Sequence, residues 1–173
     1  MRTLTALVDH HLNWVQKKGL RSEYELRFGD ELVATLRFPR MLSSRAIVET
    51  GDGNWAIERQ GFFSSRIVVR LADSETDLAV LNENAWKGTG TIELPEGRTL
   101  EIRMNMWKNT FQLLTASGEQ LVETKGRGFF RFSADVTMAH KASQWPELPW
   151  LVATVFYLMI MKRRDSAAHA GAH

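Results

Sequence analysis

Three cations near the end of the chain share the parity of one extended strand: Lys125, Arg127 and Arg131, with Phe129 between them. Basic side chains around an aromatic ring suit phosphate groups at a membrane surface, although the same pattern also describes an ordinary solvated strand face. Arg66 and Arg70 repeat it on a smaller scale. Asp73-Ser74-Glu75-Thr76-Asp77 alternates oxygen-bearing side chains as a calcium loop does. It lacks the glycine and the distal glutamate of an EF-hand, so it reads as a solvated turn and no metal site is expected. Signals for catalysis are sparse. The histidines are His10, His11, His140, His169 and His173, with no His-Glu-x-x-His pair. Gly88-Thr89-Gly90-Thr91 lacks the lysine of a phosphate loop, and no Gly-x-Ser-x-Gly elbow occurs. Facing strands always offer carboxylate pairs such as Glu58 and Glu101. The expectation is a protein that is not an enzyme and that needs no cofactor.

Composition narrows the field. The absence of cysteine excludes a disulfide scaffold, a zinc ribbon, an iron–sulfur protein and a thiol nucleophile, and fits a reducing compartment. With 44% hydrophobic and 24% charged residues the chain is globular, and 173 residues suit one domain. Its 22 Lys and Arg stand against 20 Asp and Glu, too even a balance to point to nucleic acid. Asp9, His10 and His11 interrupt any apolar run at the start, so no secretory signal is expected and the expected location is cytoplasmic.

The elements that must position these residues follow from periodicity. Leu4, Leu7, Val8, Leu12 and Val15 fall at helical spacing between Thr3 and Gly19, which predicts an N-terminal helix within residues 1–20, packed on the rest by one apolar stripe. Trp14 lies near that stripe, where it docks the helix or meets a membrane interface. From residue 21 the period becomes two. Eleven short runs with a turn signal every 8–12 residues predict an all-β sandwich or barrel. Gly51, Gly61, Phe62 and Phe63 recur as Gly118, Gly128, Phe129 and Phe130, a faint repeat. Trp55 and Trp150 are expected in the core.

Residues 148–161 form an apolar run with no polar face, opened by Pro149 and closed by Lys162, Arg163 and Arg164. Such a helix must be surrounded by protein or lipid. Its length of roughly 21 Å falls short of about 30 Å of hydrocarbon, which favours a buried helix. Twelve strands about 4.8 Å apart and tilted about 40° enclose a radius near ~12 Å, close to what one helix fills. The predicted fold is therefore mainly β: a large closed antiparallel barrel of about 12 strands over residues 21–165. A central helix at 149–163 lies within it and a frayed tail follows at 166–173. The twelfth strand is sought near Trp86–Lys87 or Met106–Trp107.

The hairpins Gly29-Asp30-Glu31-Leu32 and Gly118-Glu119-Gln120-Leu121, and the stretch Gly53-Asn54-Trp55-Ala56-Ile57-Glu58-Arg59, resemble those of LURP-one-related proteins. The closing Pro149-Trp150-Leu151-Val152, Tyr157-Leu158 and Lys162-Arg163-Arg164-Asp165 resemble the terminal helix of the tubby/scramblase-like superfamily. The resemblance spans about residues 24–165 and implies a twelve-stranded barrel around a C-terminal helix. It also implies a non-enzymatic binding or scaffold module that contacts anionic phospholipid head groups, peripheral to a membrane; the lipid-binding residues expected for it, Lys125, Arg127 and Arg131, come from the strand parity and not from the resemblance. The alternative is a membrane-associated scramblase-like protein anchored by the C-terminal helix. Scramblases carry an acidic calcium loop before that helix; the matching stretch Ala139–Gln144 is not acidic. A barrel enzyme or small-ligand carrier fits less well, because the helix fills the lumen a ligand would need.

Overall fold

Period-two alternation builds twelve strands, and they close on themselves. A computed structural model of the chain describes residues 1–61, 66–128 and 130–171. The strands are β1 (Leu12–Gln16), β2 (Glu23–Phe28), β3 (Glu31–Arg37), β4 (Ala46–Thr50), β5 (Gly53–Gln60) and β6 (Arg66–Leu71). They continue as β7 (Asp77–Asn84), β8 (Thr89–Glu93), β9 (Thr99–Asn105), β10 (Thr110–Thr115), β11 (Gln120–Arg127) and β12 (Ser133–Met138). Each pairs antiparallel with its sequence neighbours, and β1 pairs with β12 to close the barrel. Closure removes the exposed edges that an open sheet of this size would present.

The helix α1 (Leu148–Gly171) runs through the lumen, and every residue from Leu148 to Met161 is buried. Strand residues of one parity meet it: Leu26, Leu36, Ile57, Ile67, Leu81, Ile102, Leu113 and Val136 are all at most 1% exposed. Phe156 is the packing centre. Trp14 stacks on it with ring centroids 4.5 Å apart, Phe132 stacks at 5.8 Å, and Tyr24 meets it edge-on at 5.3 Å. The Thr154 hydroxyl donates to the carbonyl of Trp150, so this buried polar side chain is satisfied within the helix. An anchor would need the apolar half of α1 to face lipid; here the strands enclose it. Among the described residues no helix is long and apolar enough to cross a membrane.

Three expectations need correction. The N-terminal helix is only a 3-10 turn, Leu4–Leu7, without a side-chain cap at Thr3. It ends at Val8, whose ψ of 144° is extended, and Asp9 follows with a left-handed φ of 71°. Leu12 and Trp14 then alternate inward on β1, and this is the twelfth strand. Trp86–Lys87 and Met106–Trp107 are turns. The stretch read as a frayed tail is helical as far as Gly171, since Ala167, Ala168 and Ala170 are strong helix formers and Arg59 holds Asp165 with two hydrogen bonds. Ala172 and His173 lie outside the described residues. The faint repeat has a structural meaning: Gly51 and Gly118 sit in turns half a barrel apart, and Gly61 and Gly128 both take left-handed φ just after β5 and β11. Its Phe62, Phe63 and Phe129 lie outside the described residues.

The Tyr157 hydroxyl donates to the Ser44 carbonyl at 2.6 Å and accepts from the Arg59 backbone N–H at 3.0 Å. Burial pushes its pKa above the ordinary tyrosine range, and burial does the same for Tyr24. The unfolded value is about 10, so the stability these two phenols carry is complete below about pH 10. It is lost as pH rises through their folded values. The melting temperature should therefore hold from neutral pH to about 9.5 and fall above it. Tyr157→Phe should weaken that fall while costing about 1–3 kcal/mol at neutral pH, because the Ser44 carbonyl and the Arg59 N–H lose their partner. Thermal melts across alkaline pH test both.

Candidate functional site

In an up-and-down barrel alternate turns share an end, and the two ends differ sharply. The connections β1–β2, β3–β4, β7–β8, β9–β10 and β11–β12 lie at the end where α1 emerges. They carry Lys17, Lys18, Arg21, Arg40, Arg45, Lys87, Lys108 and Arg131, and no acidic residue. The five hairpin turns of the opposite end carry Asp30, Asp52, Asp73, Glu75, Glu96 and Glu119 against Arg98 alone. A net charge of only +2 thus conceals a dipole along the barrel axis. Among the described residues, Lys18, Arg21, Arg40, Lys87, Lys108 and Arg131 make no ion pair.

Apolar side chains follow the same division. Of the large ones exposed among the described residues, Leu20, Met41, Leu42, Trp86, Met106, Trp107 and Phe130 are at the basic end; Met1 and Leu71 are not. Trp86 and Trp107 are wholly exposed, and both are held in matching turns. The turn Asn84-Ala85-Trp86-Lys87-Gly88 and the turn Asn105-Met106-Trp107-Lys108-Asn109 have the same layout. In each, the leading asparagine side chain accepts from the lysine backbone N–H, at 3.3 Å from Lys87 and 3.0 Å from Lys108. In each, the last residue is left-handed, with φ of 62° at Gly88 and 52° at Asn109. Beside the second turn, Gly126 leaves room for Asn109, since a Cβ there would stand 2.3 Å from the Asn109 side chain. Two hairpins at this end thus carry a Trp–Lys pair at their tips on matching backbone turns.

The emerging helix completes this end with a collar. Lys162 pairs with Glu83. Arg163 lies over the Phe132 ring at 4.1 Å and Arg164 over the Phe38 ring at 3.8 Å. The Arg59 guanidinium grips Asp165 at 2.9 and 3.1 Å. Burial pulls the Arg59 pKa down, but the hydrogen bond to Asp165 and the nearby negative charge outweigh it and leave the group above the ordinary arginine value. These contacts lock the exit of α1 to four different parts of the wall.

The residues expected from the sequence to bind lipid stand in different settings. Lys125 and Arg127 both point outward from β11. Arg127, however, is bound at 2.5 Å to Asp135, which also accepts from Asn13 and contacts His11. Arg131 belongs to the β11–β12 turn, at the basic end. Arg66 and Arg70 both face Asp77. Asp77 itself opens β7, which ties the end of the 73–77 stretch into ion pairs, and no group of three His, Asp or Glu among the described residues is placed to hold a metal. Sequence reasoning passed over the Trp–Lys turns. Their signal was present as Asn84, Trp86 and Lys87 recurring 21 residues on as Asn105, Trp107 and Lys108.

No family model matches the chain, and no curated protein matches it. Among solved structures, the X-ray structure of a protein from Arabidopsis thaliana is similar with a TM-score of 0.60 at 12% identity, over 91% of this chain and 94% of that one. At that identity the likeness is one of fold: a twelve-stranded closed barrel with a C-terminal helix.

Proposed function

We propose that this protein is a non-enzymatic binding module of the tubby/LURP-one/scramblase-like kind that docks on anionic membrane surfaces through the basic end of its barrel. The observation that carries this reading is the segregation of charge: eight cations and no acid on one set of turns, six acids on the other. Such a dipole orients the barrel with its axis along the membrane normal and the tip of α1 toward the lipid. Trp86 and Trp107 would then lie at head-group depth, where tryptophan partitions well, with Lys87 and Lys108 beside phosphate.

Sedimentation with phosphatidylcholine vesicles, with and without phosphatidylserine, tests it. Binding should require the anionic lipid. Each cation near the surface contributes about 1 kcal/mol, so reversing Lys18, Arg21, Lys87 and Lys108 to Glu should weaken binding by at least about a hundred-fold. Trp86→Ser combined with Trp107→Ser should remove the part of binding that survives high salt. Absent vesicle binding overturns the reading. Reversal of Lys125, Arg127 and Arg131 proving the more harmful change would return the site to the wall of β11.

A further inference from the structure

We propose that the groove between the β3–β4 loop and the outer face of α1 binds a single-chain anionic lipid, its head group on Arg164 and its alkyl chain along Met41, Leu42, Met161 and Ala168. The site lies at the basic end, yet it does not depend on docking and can be tested in solution.

The groove has a volume of about 700 Å³, within the roughly 300–1,000 Å³ usual for small-molecule sites. One wall is a helical stripe: Met161, Arg164, Asp165 and Ala168 follow at spacings of three and four, so they share a face of α1. The other wall is the loop from Met41 to Ser44, with Arg59 behind it. That loop is pinned by its polar residues. The Ser43 carbonyl accepts from Arg164, the Ser44 hydroxyl donates to the Arg59 carbonyl, and the Ser44 carbonyl accepts from Tyr157. The pinning leaves Met41 and Leu42 75% and 99% exposed at the rim. Two adjacent apolar side chains held in water by a fixed loop, facing a second apolar strip, are covered when an alkyl chain lies between them. Met41 and Met161 adapt readily to such a chain.

Charge selects the head group. The groove is lined by Arg59, Asp165 and Arg164. Arg59 is already neutralised by Asp165. Arg164 is half-buried, stacks on Phe38 and donates to one carbonyl, and no carboxylate among the described residues pairs with it. Burial pulls its proton affinity down, and the groups opposing that are the phenols of Tyr24 and Tyr157. Those phenols are neutral at physiological pH. A half-buried guanidinium with donors to spare and no counter-charge takes an oxyanion best. A free phosphate or a short acid would satisfy Arg164 but leave Met41 and Leu42 in water. The lumen offers no rival site, because α1 fills it.

Displacement of a dansyl-labelled fatty acid, below its micellar concentration, is the experiment. Palmitate should displace the probe at least about tenfold better than hexadecanol or hexadecyltrimethylammonium. Arg164→Gln should weaken palmitate by about tenfold or more, and Arg164→Lys should keep part of the affinity. Ala168→Trp adds bulk on an exposed helical position and should abolish probe binding without touching the core. It decides the matter even if a change at Arg164 disturbs folding. Probe binding that is absent, indifferent to head-group charge, or unaltered by both Arg164→Gln and Ala168→Trp overturns the proposal. Lys87→Glu combined with Lys108→Glu, at positions that do not line the groove, should weaken vesicle sedimentation and leave probe binding unchanged, so failure of the groove and failure of membrane docking give different results.

Discussion

A chain carrying Leu158→Asp should yield no folded protein at neutral pH, and Val155→Asp should do the same. Both side chains are fully buried in the middle of the helix that fills the barrel. Deleting a buried leucine side chain costs about 2–5 kcal/mol in lost contacts and cavity. The carboxylate adds several kcal/mol more, either as an uncompensated buried charge or as the work of protonating it at neutral pH. Together these consume a net stability of about 5–15 kcal/mol. The neighbouring polar groups offer no rescue, since the Tyr157 hydroxyl is already committed to Ser44 and Arg59. Leu158→Met should cost less than about 1.5 kcal/mol and melt cooperatively, which separates a charge effect from intolerance of any change at the position. Far-UV circular dichroism and thermal melting read both variants. A folded Leu158→Asp protein would mean that water reaches the helix, and would remove the basis for a plugged lumen.

What the sequence made legible follows from which interactions are local. Strand alternation from Tyr24 onward shows directly in residue types, as does the apolar helix from Leu148 to Met161. The barrel follows from them by the arithmetic of radius and helix diameter. The N-terminus misled because Leu4, Leu7, Val8, Leu12 and Val15 satisfy a helical period, while the alternation of Leu12 with Trp14 is only two residues deep. What settles it is long-range: β1 pairs with β12 and Trp14 stacks on Phe156. The candidate site was harder to see. Lys87, Lys108 and Arg131 are scattered singly along the chain, and only the alternation of turns between two ends of a closed barrel groups them. The visible stripe of Lys125, Arg127 and Arg131 was a local pattern, and Asp135 on β12, eight residues on from Arg127, neutralises its middle member. Arg164 looked like a helix-terminal cation. The helix continues past it, and that continuation makes the groove.

Truncating the chain before Pro149 should destroy the barrel instead of releasing a stable β domain. Residues inward on the strands, among them Tyr24, Leu26, Leu100 and Ile102, share one core cluster with the buried residues of α1. Each buried side chain of the helix is worth about 1.5–3 kcal/mol. The loss of a dozen therefore exceeds the whole net stability of about 5–15 kcal/mol. Collapse is no remedy, because twelve strands fix a circumference that strand side chains alone cannot fill. The wall would also lose its collar: Arg59 would lose Asp165, Glu83 would lose Lys162, and the rings of Phe38 and Phe132 would lose their guanidinium covers. Expression of residues 1–148, followed by circular dichroism and a thermal melt, is the measurement. Insoluble protein, or a chain without a cooperative transition, is the expected outcome. Adding the excised helix as a separate peptide should restore a transition only if the strands can close around it, which makes the helix a template for the barrel as well as its filling. A soluble fragment that melts cooperatively without the peptide would instead show that the strands close by themselves, and α1 would then be free to leave the lumen.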